Sequence, residues 1–240
     1  MLIINNLSKS YDNSNIKAVD NINLTIKPGE IFGFLGPNGA GKTTTIKMIV
    51  GLLKPDGGRI SLSGIDIWEN PLDAKSKISY VPDNPEVYDK LKGMEYLNFI
   101  ADMYGISKEL RLGKIKYYTE LFKINDVLGD TIGSYSHGMK QKIVLTSALL
   151  NEPELFILDE PMVGLDPKST YNLKEIMRKM CDEGSIVFFS THVLEVAEKL
   201  CDRIAIINKG KIITIGTMEE LRAHAKERES LENIFLELTE

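Results

Sequence analysis

A short stretch near the start of the chain combines glycines, a lysine and two threonines at a spacing that suits phosphate binding. It follows the pattern of glycine, any four residues, glycine, lysine and then serine or threonine. Glycines let backbone N–H groups approach phosphate oxygens, the lysine adds a positive point charge, and the first threonine offers a hydroxyl to Mg²⁺. The predicted phosphate contacts are Gly36, Pro37, Asn38, Gly39, Ala40, Gly41, Lys42, Thr43 and Thr44.

The elements on either side of this loop have the order that its chemistry needs. Residues 30–35 predict a buried strand, because the run is short and apolar after Glu30, and residues 43–52 have the apolar spacing of a helix. A helix that begins at the loop adds its positive N-terminal end to a phosphate site. This context favours phosphate binding over an unrelated glycine-rich turn.

A pair of acidic residues follows another apolar run, at residues 155–158. At the end of that run, Asp159 is a candidate Mg²⁺ ligand, and Glu160 is placed to polarise a water for attack on a γ-phosphate. Each residue has a simpler alternative. Asp159 can be a structural residue at a strand end, and Glu160 an acid near the start of the next helix.

Composition narrows the function classes. The 240 residues include 29 Lys and Arg against 34 Asp and Glu, a net charge of −5. Coating a nucleic acid needs the opposite balance, so no nucleic-acid partner is expected. The longest charge-free runs, 31–41 and 184–194, have 11 residues each and are too short to span a bilayer. No signal-peptide pattern and no disulfide framework are evident, so we expect a cytoplasmic protein.

Taken in order, these motifs resemble those of the ATP-binding cassette (ABC) family over almost the whole chain. Residues 36–43 are similar to its Walker A motif, and residues 155–160 to its Walker B motif with the catalytic glutamate. Other matches are the adenine contacts Tyr11 and Val19, the signature residues Ser136, His137 and Gly138, the D-loop residue Asp166 and the switch residue His192. The resemblance implies that Lys42, Glu160 and His192 are catalytic.

The resemblance also implies a fold. It is an α/β P-loop NTPase of the ABC type, with a parallel sheet, an N-terminal antiparallel β subdomain and a helical insertion. The whole chain, 1–240, is expected to form a single ABC ATPase domain. Its parts are a nucleotide-binding core (1–83 and 151–215), a helical signature subdomain (84–150) and a C-terminal helical tail (216–240).

Two positions depart from the family pattern. His137 stands where the signature usually has glycine, and it is either a surface histidine or an added phosphate contact. Asp83 stands where the family has its Q-loop glutamine, and Gln141 is the only glutamine in the chain. A carboxylate can still bind Mg²⁺, so Asp83 joins Thr43 and Asp159 as a candidate metal ligand.

The implied activity is ATP hydrolysis with Mg²⁺, coupled to transport. In the family, the signature faces a nucleotide held by the other subunit, so one copy of each motif implies a head-to-tail homodimer. A separate transmembrane permease would hold the chain on the cytosolic face of the membrane. The ending, residues 230–235, and the signature variant resemble the ABC-2 type exporters of drugs, peptides and lipids. Four aromatics either line a groove for the permease or form a local core: Tyr88, Tyr96, Phe99 and Tyr104.

Other function classes are also open. The main alternative is a regulatory or non-transport ABC ATPase with weak hydrolysis. A GTPase is disfavoured, because the guanine-like run at 208–211 lacks the expected aspartate and lies between two predicted strands.

Overall fold

The computed structural model of the chain describes residues 1–11, 17–85 and 87–224. The strands are β1 (Leu2–Ser10), β2 (Lys17–Ile26), β3 (Ile31–Leu35), β4 (Gly57–Leu62), β5 (Ile65–Asp66), β6 (Ile78–Val81), β7 (Leu155–Asp159), β8 (Ile186–Thr191), β9 (Arg203–Asn208) and β10 (Lys211–Gly216). The α-helices are α1 (Lys42–Ile49), α2 (Pro71–Lys75), α3 (Gly93–Met103), α4 (Lys108–Leu121), α5 (His137–Leu149), α6 (Pro167–Asp182), α7 (Leu194–Leu200) and α8 (Met218–His224). The predicted C-terminal tail therefore begins with α8, and residues 225–240 lie outside the described part.

The strands form two sheets. The larger has the order β10-β9-β3-β8-β7-β6, and all of its neighbours are parallel except β10 and β9. The smaller, β2-β1-β4-β5, is antiparallel throughout. This arrangement matches the parallel core and the N-terminal antiparallel sheet expected from the sequence.

The centre of the larger sheet is covered on both faces. Every residue of β3, β7 and β8 is buried, which explains why these strands are continuous apolar runs. Phe188 lies between Phe32 and Phe34, with ring centroids 6.0 Å and 5.3 Å apart. One face of the sheet packs on the smaller sheet and α1, and the other shares an apolar cluster with α3, α4, α5 and α6.

The helical segment lies between β6 and β7, which are neighbours in the sheet. It contains α3, α4 and α5 and two short 3₁₀ turns. Tyr96, Ile115 and Ile143 join these helices in one apolar cluster with Phe156 and Phe189 of the sheet. The segment is therefore packed against the sheet through the same core that supports the strands.

The first helix is shorter than the sequence predicts. The first helix ends at Ile49, earlier than the predicted residue 52, and Gly51 follows with a φ of 71°. This left-handed conformation, which glycine adopts without strain, stops the helix.

Among the described residues, no helix is long and apolar enough to cross a membrane.

We expect Phe188→Ala to lower the free energy of unfolding by about 3–5 kcal/mol, because the ring is fully buried and its removal leaves a cavity. Urea unfolding followed by circular dichroism measures the change. The matched control is Leu72→Ala, since that side chain is 84% exposed and its loss should cost less than about 0.5 kcal/mol. Equal losses in both variants would contradict this account of the core.

Candidate functional site

The predicted site residues meet at one edge of the larger sheet. The parallel strands β3, β8, β7 and β6 all point their carboxyl ends to this edge. The glycine-rich loop follows β3, His192 follows β8, Asp159 and Glu160 lie at the end of β7, and Asp83 follows β6. Ligands of open α/β sheets bind at such an edge, because loops from neighbouring strands converge there.

A cleft opens at this edge. It is lined by Ala18, Pro37, Asn38, Gly39, Gly41, Lys42, Thr43, Thr44, Asp83, Asp159 and Glu160. Neither of the two predicted adenine contacts, Tyr11 and Val19, is among these lining residues. Tyr11 lies beside the loop, with its hydroxyl 3.3 Å from Thr44 Oγ1. Val19 is fully buried, and its neighbour Ala18 faces the cleft, since adjacent side chains of a strand point to opposite faces.

The loop is held in shape by its own lysine. Lys42 Nζ donates hydrogen bonds to the carbonyl oxygens of Gly36, at 2.6 Å, and Pro37, at 3.3 Å. Burial lowers the pKa of Lys42, while the carboxylates of Glu160 and Asp159 oppose that shift. The ammonium group of Lys42 therefore lies inside the loop, where it can bind an anion.

Backbone segments of β2, β9 and the β9–β10 turn pack closely against the loop and fix its position. A Cβ atom on Gly36 would lie 2.4 Å from the carbonyl oxygen of Ile207, and one on Gly41 would lie 2.5 Å from that of Ala18. The Gly210 N–H donates to Ala40 O at 2.9 Å. The β9–β10 turn, which the sequence predicts only as a link between two strands, therefore supports the phosphate loop.

A buried carboxylate faces the start of α1. Thr43 Oγ1 donates to Asp159 Oδ2 at 2.9 Å, and Ser190 Oγ donates to Asp159 Oδ1. Burial raises the pKa of Asp159, the hydrogen bonds from Ser190 and Thr43 oppose the rise, and the charges of Asp83 and Glu160 add to it. A hydroxyl and carboxylates in a place with excess negative charge form a donor set that fits Mg²⁺.

The second carboxylate of the pair is fixed by several contacts. Glu160 Oε1 lies 2.9 Å from His192 Nδ1 and 3.8 Å from Lys42 Nζ. The Glu160 N–H donates to Ser190 O at 3.2 Å, and its φ is 48°, a conformation that non-glycine residues rarely adopt. Such backbone strain persists only where neighbours fix it, and it is concentrated at functional sites.

The remaining predicted residues form a second group, outside the cleft lining. Ser136 caps α5, where its Oγ accepts from Met139 N at 3.3 Å, and Asp166 caps α6. His137 and Gly138 pack against Gly164, so that a Cβ on Gly164 would lie 2.7 Å from His137 Cδ2. The fold thus brings together the signature residues and the segment before α6, but it does not bring them to the phosphate loop of the same chain.

A phosphate loop, a strand-end aspartate with an adjacent glutamate, and a parallel sheet define a P-loop nucleotide-binding protein. The family model for ABC transporters matches residues 19–163. A solved structure of the ATP-binding subunit of an ABC transporter superposes with a TM-score of 0.94 at 33% identity, covering 100% of both chains. The chain belongs to the ABC transporter family as an ATP-binding subunit, which confirms the predicted fold class.

Curated relatives agree with this assignment. The ABC-type transporter ATP-binding protein EcsA of Bacillus subtilis is 37% identical over 100% of this chain and 96% of its own length. The linearmycin resistance ATP-binding protein LnrL, from the same species, is 40% identical over 92% of this chain and 70% of its own. A relative from Nostoc is longer, and the chain spans 62% of it. Family membership also confirms the predicted class of enzyme, an ATPase that uses Mg²⁺.

We expect Asp159→Asn to stabilise the nucleotide-free chain at pH 7 and to lower ATP turnover by about a hundredfold or more. Since the folded-state pKa of Asp159 is raised, its contribution to stability is present below the ordinary aspartate pKa and is lost as the pH rises. Thermal unfolding from pH 4 to pH 8 should show the gain growing with pH.

Asp182→Asn, at an exposed position of α6, is the matched control and should change neither property. A melting temperature that falls in Asp159→Asn at pH 7 would contradict this reading of the buried carboxylate.

Proposed function

We propose that the chain is the ATP-hydrolysing subunit of a multi-chain ABC exporter, and that two copies close around two ATP molecules to drive a separate membrane subunit. The observation that carries the proposal is the separation of the site into two groups. The cleft holds a loop, a metal-binding edge and a candidate base, while Ser136 and Gly138 lie elsewhere on the chain. A second copy supplies what each cleft lacks.

The cleft residues have distinct roles in this proposal. Lys42 and the loop N–H groups bind the phosphates. Thr43, Asp159 and Asp83 would hold Mg²⁺, which neutralises charge on the phosphate oxygens when it is bound. Glu160 orients the attacking water and accepts its proton, and His192 Nδ1, 2.9 Å away, fixes the direction of that carboxylate.

The signature group suits a nucleotide held by a second copy. Ser136, His137 and Gly138 open α5, a helix of 13 residues, and the first two are exposed. A helix N-terminus attracts anions, and Gly138 allows close backbone approach. His137 rests against Gly164 and presents an imidazole at the same end of the helix, where it can add a donor to the terminal phosphate.

We expect Glu160→Gln to lower turnover about a hundredfold and to trap an ATP-bound dimer, because the amide keeps the geometry but does not accept the proton. Size-exclusion chromatography with light scattering measures the dimer with ATP and Mg²⁺, and with ADP as the reference. The control is Glu183→Gln. Glu183 is exposed at the end of α6, so this variant should keep the ATPase activity of the wild type. A monomer at all ATP concentrations would contradict the sandwich.

A permease interface is proposed on the helical segment. Tyr88 is 60% exposed and packs edge-on against Phe99, which is 42% exposed, at 5.8 Å between ring centroids. Tyr96 is only 7% exposed and belongs to the core, so it is not part of the proposed interface. A pair of exposed aromatic rings is typical of an interface, here for a cytosolic helix of the permease. The name of LnrL, a resistance protein, supports an exporter.

We expect Phe99→Ser to abolish co-purification with a multi-spanning membrane protein that the wild-type chain retains after detergent extraction from its own cells. The partner should raise the ATPase rate of the wild type only. Leu112→Ser is the matched control, because this α4 side chain is also exposed, at 60%, and lies outside the aromatic pair. Equal recovery with both variants would place the permease elsewhere.

A further inference from the structure

The start of helix α5 contacts the loop that follows Glu160, the candidate base. We call residues 161–166 the connecting loop, since it runs from Glu160 to the cap of α6. Gly138 approaches it so closely that a Cβ would lie 2.5 Å from Gly164 O. Gln141 Nε2 donates to Pro161 O at 3.5 Å, and Lys142 Nζ lies 2.6 Å from Asp166 Oδ2. The first two turns of α5 therefore contact the connecting loop along its length.

The connecting loop is in turn tied to Glu160. The Val163 N–H donates to Glu160 O at 3.3 Å, and the Leu165 N–H donates to Met162 O at 3.3 Å. These short-range bonds form successive turns between the catalytic glutamate and Asp166. We therefore expect a displacement of Asp166 to reach the backbone of Glu160 through these turns.

Lys142 forms the ion pair in this contact between α5 and the connecting loop. Its side chain is 13% exposed, and Asp166 also accepts from Ser169 N and Oγ at 2.9 Å and 2.7 Å. The hydrogen bond from Lys142, together with those from Ser169, holds the pKa of Asp166 well below its usual range. Among the described residues, this is the one ion pair that joins α5 to the connecting loop.

The same contact contains an unpaired polar atom. Gln141 is 1% exposed, and its Oε1 is buried without a hydrogen-bond partner among the described residues. A buried acceptor without a donor is desolvated without compensation, so this contact favours any arrangement that supplies a donor to Gln141.

We propose that Lys142 is a positioning residue for ATP hydrolysis. Its pair with Asp166 holds the connecting loop to α5, so that Glu160 at one nucleotide moves together with Ser136 and Gly138 at the other. The inference rests on the proposed dimer, because the two ends of this connection serve different nucleotides only in a pair of chains. Lys142 itself touches no reacting atom and acts through Asp166.

The test compares Lys142→Met, which keeps the aliphatic stem, with Lys142→Arg, which keeps the charge. We expect Lys142→Met to lower kcat about tenfold and to bring the Hill coefficient for ATP toward 1, with the Kd for a fluorescent ATP analogue unchanged. Lys142→Arg should stay within about twofold of the wild type in kcat. A purely structural role would not separate kcat and cooperativity from nucleotide affinity.

Lys140→Met is the matched control. Lys140 lies two residues earlier on α5 and pairs with Asp89 at 2.7 Å, in the helical segment, so its loss should leave kcat and the Hill coefficient unchanged. Thermal unfolding checks all variants. If Lys142→Met melts well below Lys140→Met, Lys142→Gln replaces it, with the same expected loss in kcat.

A second measurement separates this inference from the proposed function. Glu160→Gln and Glu160→Gln/Lys142→Met are compared for ATP-driven dimers. Dimers in both, with reduced kcat and cooperativity in Lys142→Met, support the positioning role. Dimers in both, with wild-type kcat and Hill coefficient in Lys142→Met, overturn it and leave the proposed function intact. No dimer in Glu160→Gln overturns the proposed function, and the coupling through Lys142 fails with it.

Discussion

The buried carboxylate of Asp159 is the constraint on which the rest of the site depends. Two hydroxyls, from Thr43 and Ser190, are all that pair with it among the described residues, and burial with two further acids nearby raises its pKa. Adding a triphosphate would increase the negative charge further. A divalent cation resolves this conflict, so nucleotide and metal must bind together, and the strand, the loop and α1 are arranged around that requirement.

The phosphate loop also joins the two sheets. Its glycines lie against Ala18 of the smaller sheet and Ile207 of the larger one, and Gly210 donates to its backbone. Rigid support of this kind is what keeps the loop N–H groups in place before the anion arrives, so that little ordering is left to do on binding. Each close approach leaves no room for a side chain, which explains Gly36 and adds to the reason for Gly41, whose φ of 107° already favours glycine.

Much of the site could be predicted from sequence, because its parts lie at strand ends with local patterns. The loop at 36–43, the acidic pair and His192 follow apolar runs that the structure shows as β3, β7 and β8. Long-range contacts could not be predicted in this way. No local signal shows that Gly210 donates to the loop, that Ser190 binds Asp159, or that Ala18 rather than Val19 faces the cleft. These depend on register and on the meeting of distant segments.

The two departures from the family pattern have different physical consequences. Asp83 lines the cleft and adds a negative charge beside Asp159, so we expect it to increase the dependence of the site on a cation. His137 also has a steric effect: its ring packs against Gly164, whose φ of 80° and close contact with the ring both disfavour a side chain. The larger residue in the signature and the bare backbone of the connecting loop therefore fit each other. A change at either position would alter the contact by which α5 holds the segment next to Glu160.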